Sequence, residues 1–117
     1  MRQRRIIEFF VDRMQLRDRT VSVIGRCLDS PIALNDRFNS IRAMTHARDC
    51  DNRERNISLT VKEINVGPAR CANLIDPSYT GELILAGTGA QLIVSGTDVI
   101  CGESDIAVPE QLVFRKE

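Results

Sequence analysis

Apolar residues fall on every second position through much of this chain, and that period of two fixes what it can build. Ile57, Leu59 and Val61 enclose Ser58 and Thr60, and Ile7, Phe9 and Val11 alternate with Glu8, Phe10 and Asp12. Successive side chains of an extended strand point to opposite faces, so a period of two marks a strand with one buried face. The runs are broken by residues that suit turns: Ser30-Pro31, Asn35-Asp36, Asn65-Val66-Gly67-Pro68, Asp76-Pro77-Ser78, Gly87-Thr88-Gly89 and Ser95-Gly96. Helical patterning is weak throughout.

This punctuation predicts strands over 5–14, 21–28, 37–44 and 57–64, with Val21, Val23 and Cys27 on one face of the second. Gly25 inside that strand marks a bulge or a close backbone approach. Glu82 to Ala86 is nearly all apolar and reads as a strand buried on both faces. Val99 to Cys101 is a further strand, and Leu112-Val113-Phe114 would add an edge strand. Residues 69–75 and 90–94 each read equally as a short strand or a helical turn. Residues 45–56 hold no large aliphatic side chain and read as a loop at the tip of a long hairpin. Short strands with regular turn signals point to an all-β sandwich or barrel, and closure into a barrel removes exposed edges. With 117 residues and no linker or repeat, a single domain spanning 1–117 is expected. There is no Trp, so aliphatic side chains must fill the core.

The stretch Gly25-Arg26-Cys27-Leu28-Asp29-Ser30-Pro31-Ile32-Ala33-Leu34-Asn35-Asp36-Arg37-Phe38 resembles the second, β-barrel domain of translational GTPases of the elongation-factor type. Gly25, Ile32, Leu34, Asp36 and Phe38 fall in register with that family's pattern, while Ser30 and Asn35 stand where it usually has Gly. Leu59 to Ile64 is similar to a middle strand, and Leu83-Ile84-Leu85-Ala86-Gly87, Ile93 and Gly96 to the last strands. The resemblance covers about residues 7–102. It implies a small closed β-barrel of about six strands, Greek-key-like, of the translation-factor domain II type. Gly25 would permit the bend that closes it, and Asp36 would accept backbone hydrogen bonds at its turn. In those GTPases the barrel generally serves as a binding surface for aminoacyl-tRNA ends or ribosomal RNA. The GTPase domain has no counterpart: there is no GxxxxGK[ST] phosphate loop, and Gly87-Thr88-Gly89 reads as a hairpin turn.

The net charge is zero but uneven. Residues 1–70 carry 14 Arg or Lys and 9 Asp or Glu; residues 71–114 carry six acids and no Arg or Lys. Either the two halves neutralise each other across strands, which is the favoured reading, or the molecule has a basic and an acidic face suited to a charged partner. Arg2, Arg4, Arg5, Arg13, Arg17, Arg19, Arg48, Arg53 and Arg55 are the candidates for phosphate contact. The pI near 6.6 and the scarcity of aromatic side chains for base stacking weigh against nucleic acid.

No catalytic constellation emerges. His46, the single histidine, lies with Asp49, Cys50 and Asp51 in one loop, but H-x3-C is half of a structural zinc motif. Asp98 with Glu103, and Asp49 with Asp51, read as solvated acids rather than an acid/base pair. The expectation is therefore no enzyme, no metal and no cofactor. The barrel is expected to bind a macromolecule, a protein first and RNA or the ribosome second, with no membrane partner; a small inhibitor or immunity-type protein is one form. The loop 45–56 is the best contact candidate, through Arg48, Asp49, Asp51, Arg53 and Arg55. Glu8 interrupts the apolar N-terminal run and no small-residue cleavage site follows, so no signal peptide is expected. Four cysteines without a CxxC pair suit a reducing, cytoplasmic setting.

Overall fold

The computed structural model describes residues 5–43, 57–68 and 71–104. Six antiparallel strands close into a barrel: β1 (Arg5–Leu16), β2 (Thr20–Leu28), β4 (Arg37–Ala43), β5 (Ser58–Asn65), β7 (Thr80–Thr88) and β8 (Asp98–Ser104), in the order β1-β2-β7-β5-β4-β8. Two short strands, β3 (Ile32–Ala33) and β6 (Leu74–Ile75), form a separate ribbon. A 3₁₀ turn, Ala90–Leu92, joins β7 to β8. The connections that skip neighbouring strands give the Greek-key-like path that the resemblance implies.

Alternation supplies the core. Ile7, Phe9 and Val11 of β1, Val23 and Cys27 of β2, Leu83 and Leu85 of β7 and Ile100 of β8 are wholly buried. Each large aliphatic or aromatic side chain taken from water contributes about 1.5–3 kcal/mol. Three strands break the period of two in a matching way. Phe38 and Ile41, Val61 and Ile64, and Val11 and Met14 are three positions apart. In each case the pairing register shifts inside that gap: between Phe38 and Ser40, between Val61 and Glu63, and between Val11 and Arg13. A bulge adds one residue to a strand and returns the third residue to the core face. Phe38, Ile41, Val61 and Ile64 are all wholly buried as a result.

Gly25 faces the bulge of β1, with Val11 paired to Gly25 and Arg13 to Ile24. A Cβ on Gly25 would overlap the Phe10 carbonyl oxygen and stand 3.2 Å from the Asp12 nitrogen. The strands therefore approach more closely here than any side chain allows, which is the role the sequence assigns to this glycine. Asp36 also behaves as expected. Its Oδ2 accepts from the Ala33 N–H at 2.8 Å and its Oδ1 from the Ser104 hydroxyl at 2.5 Å. Asn35, in a position where the resembled family uses Gly, takes φ 73°, a conformation Asn tolerates. Arg5 extends this network, donating to the Pro31 carbonyl at 2.5 Å and to Ser104 Oγ at 3.1 Å. Ile32 and Ile75 of the β3–β6 ribbon are buried over the same end of the barrel.

Two expectations need correction. β7 extends from Thr80 to Thr88 and is buried on one face only, with Ile84 and Ala86 half-buried outside. Its apolar run is continuous because neighbouring side chains shelter the outer face too. Gly87 and Thr88 are not a hairpin turn but the last residues of β7, paired with Leu59 and Ser58. The undecided segment 69–75 yields the two-residue strand β6, and 90–94 the 3₁₀ turn. The expected edge strand at 112–114 lies outside the described residues.

Gly25→Ala is expected to lower the urea-unfolding free energy by at least about 3 kcal/mol, because backbone must move to admit the methyl. Gly67→Ala, at φ 57° with nothing near its Cβ position, should cost only about 1 kcal/mol. Equal losses would mean that the close crossing at Gly25 is not a constraint on the fold.

Candidate functional site

The contact loop expected from the sequence, with Arg48, Asp49, Asp51, Arg53 and Arg55, lies outside the described residues, as do His46 and Cys50. The flanking strand ends are described. Ala43 pairs with Asp98 and Ser58 with Thr88, so both belong to the end of the barrel where β7 finishes and β8 starts. The β1–β2 hairpin turns at this same end, since Thr20 pairs with Ala86.

A cleft of about 320 Å³ opens there. Arg17-Asp18-Arg19 forms the hairpin turn, a run too polar to enter the core, closed by the Arg17 N–H donating to the Thr20 carbonyl at 2.8 Å. Gly87, Thr88, Gly89, Ala90 and Gln91 form the facing wall. Gly87 has φ 143°, and a Cβ there would overlap the Ser58 carbonyl oxygen. The floor is core: Val21, Leu59 and Leu85. The cleft thus combines an apolar base with a rim of guanidinium, hydroxyl and amide groups.

A second cleft, of about 470 Å³, lies on the outer face of β1, β8 and β4. The registers Glu8–Cys101–Ser40 and Phe10–Val99–Arg42 set side by side an acid, a thiol and a guanidinium on that face. Arg42 donates through Nε and Nη2 to both Glu8 oxygens, each at 3.1 Å. Glu8 and Arg42 are 9% and 8% exposed, so this is a buried pair although it points away from the core. The hydrogen bonds from Arg42 to Glu8 raise the Arg42 pKa above its ordinary value. Burial first, and then the Glu8 charge, push the Cys101 thiol up to about 12. Burial does the same to Cys27, helped by Asp76. These cysteines are protonated at neutral pH and poor nucleophiles.

Of the two acids read as solvated, Asp98 is instead buried, because it accepts from the Val94 N–H at 2.8 Å, while Glu103 is exposed further along β8. Arg5 is committed to the network at Ser104 rather than to a binding face. Among the described residues, no three or more His, Cys, Asp or Glu converge as metal ligands, and no helix is long and apolar enough to cross a membrane. The Glu8–Arg42 pair was hidden in the sequence. Its signal is Glu8 inside an apolar run and Arg42 next to Ile41, two charges at outward positions of strands that β8 brings together.

Glu8→Leu and Arg42→Met should each destabilise the protein by about 3 kcal/mol, since each strands one buried charge. The double variant Glu8→Leu/Arg42→Met should recover most of that loss in a double-mutant cycle followed by urea unfolding; additive losses would mean the pair is not coupled. Iodoacetamide at neutral pH should modify the exposed Cys71 and spare Cys27 and Cys101, read by peptide mass mapping. Because burial pushes both thiols up to about 12 in the folded barrel, from the 9.0 of an ordinary thiol, their contribution to stability is complete below pH 9. It should fade as the pH rises from 9 towards 12, where only the unfolded chain releases the protons.

No protein-family model matches the chain, and no curated protein matches it. Among solved structures, the fold is similar to that of apo translation elongation factor SelB from Methanococcus maripaludis, with a TM-score of 0.58 at 12% identity. The match covers 82% of this chain and 19% of that one, so the chain spans under a fifth of the SelB length. The likeness is one of fold: a translation-factor-like β-barrel.

Proposed function

We propose that this chain is a non-catalytic β-barrel binding module that holds another protein on its exterior, as a small inhibitor or immunity-type protein does. One observation carries the reading. The barrel interior is filled by side chains from every strand, Ile7 to Ile100, with no exposure, and both clefts open outwards. A small barrel packed solid leaves its loops and outer faces for recognition. Glu8 is engaged at both oxygens and Cys101 is held protonated, which supports a structural use of this acid and thiol. The free thiols of Cys27, Cys71 and Cys101 suit a reducing, cytoplasmic compartment. The loop residues Arg48, Asp49, Asp51, Arg53 and Arg55 belong to this reading as contacts, because their connection springs from the same end as the hairpin cleft. No metal or cofactor takes part in it.

The second reading is an RNA- or ribosome-associated module of the domain II type, and the likeness to SelB favours it. The two separate cleanly when the full chain is used as bait in native lysate. Captured proteins should survive nuclease treatment, and Arg48→Glu/Arg53→Glu/Arg55→Glu should release them. RNA retained on filters at low salt, with affinity falling steeply as salt rises, would instead establish the second reading.

A further inference from the structure

The two ends of the barrel differ. One is covered by the β3–β6 ribbon, with Ile32 and Ile75 buried beneath it and the Asp36–Ser104–Arg5 network tying it down. The other keeps the cleft between the β1–β2 hairpin and the Gly87–Gln91 wall. Arg17 and Arg19 are exposed on its rim, and neither guanidinium is tied to another described side chain. Asp18 lies between them, so the rim keeps one net positive charge. Gly87 and Gly89 leave two of the five wall positions without a side chain, between Thr88, Ala90 and Gln91.

The same end exposes aliphatic surface. Leu16, in the cleft wall, is 56% exposed, and Leu92 and Val94, just beyond Gln91, are 39% and 53% exposed. An occupant that satisfied the arginines alone would leave these in water. A guanidinium fork matches a carboxylate or a phosphate equally well, so the apolar surface decides between them. An RNA strand would want aromatic side chains on which to stack bases. The exposed aromatic among the described residues, Tyr79, lies at the opposite end, where its carbonyl accepts from Cys27 of β2. We propose that this cleft docks an acidic segment of a partner protein. Its carboxylates pair with Arg17 and Arg19, and an aliphatic side chain sits between Leu16 and the Gly87–Gln91 wall. The proposal rests on the protein-binding reading and names the chemistry that this end recognises.

The full chain, labelled with ¹⁵N, can be titrated with a short peptide of Asp, Glu, Ser and Leu, with its counterpart carrying Lys for each acid, and with an oligouridylate of equal length. The acidic peptide should shift the amides of Leu16–Thr20 and Gly87–Leu92 saturably, less so at high salt. Arg17→Glu/Arg19→Glu should weaken it about tenfold and Arg17→Gln/Arg19→Gln about threefold. Both variants should keep the dispersed amide spectrum of the parent, because the exposed side chains they replace make no hydrogen bond or ion pair with a described side chain. Absence of shifts at those amides, equal shifts with the lysine peptide or the RNA, or unchanged affinity in both variants would overturn the proposal. Failure here is distinct from failure of the wider reading. Protein partners that stay bound to an Arg17→Glu/Arg19→Glu bait would refute this cleft while leaving protein binding intact, whereas a bait that captures only RNA refutes both.

Discussion

Closing six strands into a cylinder forces neighbouring backbones to cross at angles that an ordinary pleated pair does not reach, and the rest of this structure depends on where the chain permits it. At Gly25 and Gly102 an added Cβ would overlap a carbonyl oxygen of the adjacent strand, Phe10 in one case and Arg37 in the other. Each crossing sits beside a register shift, at Val11/Arg13 and at Phe38/Ser40. A bulge sharpens the local twist, and a missing side chain lets the backbones approach. The two devices work together: the bulge bends β1 or β4, and the glycine on the facing strand makes room for the bend. Without them the sheet would stay open and present edges to other chains.

On the outer face of β1, β8 and β4 a charged pair is nonetheless buried, with Arg42 8% and Glu8 9% exposed. Glu8, across β8, meets Arg42 with both oxygens. Replacing such a pair by apolar residues is often neutral for stability. Its effect here is on register: β8 must sit between β1 and β4 with Cys101 opposite Glu8 and Ser40 for the two charges to meet. A slip by one residue would turn one charge towards the core.

Much of this architecture was legible because strand alternation and turn chemistry are local. Gly25, the Asn35-Asp36 turn and the one-sided burial of Val21, Val23 and Cys27 follow from residues within a few positions of each other. The bulges were written in the sequence as well, as the three-residue spacings Val61–Ile64 and Phe38–Ile41, but a spacing of three also fits a helix and gains its meaning only once the strands are paired. What could not be read were the features made by distant strands. Glu8 and Arg42 are 34 positions apart, and Arg17 and Thr88 share a cleft only because β2 pairs with β7. The resemblance around Gly25 to Phe38 reaches the fold, a translation-factor-like β-barrel, for the same reason that the site stays hidden: turn glycines and aliphatics encode a barrel, and the barrel's recognition chemistry is assembled across it.

The unequal ends of the cylinder then bear on function. A six-stranded barrel is too narrow to hold more than its own side chains, so recognition passes to whichever surface the packing leaves unfinished. The β3–β6 ribbon finishes one end with buried isoleucines and a network that uses both Asp36 oxygens. The ion pair of Glu8 and Arg42 neutralises the charge on one flank. At the hairpin end Ala90 and Ile93 cover part of the core, yet exposed leucine and arginine remain together beside Gly87 and Gly89. Exposed aliphatic surface is unfavourable in water and is not needed to close the barrel there. Its coincidence with guanidinium groups that hold no described side-chain partner is what distinguishes this end from a turn that serves only to reverse the chain.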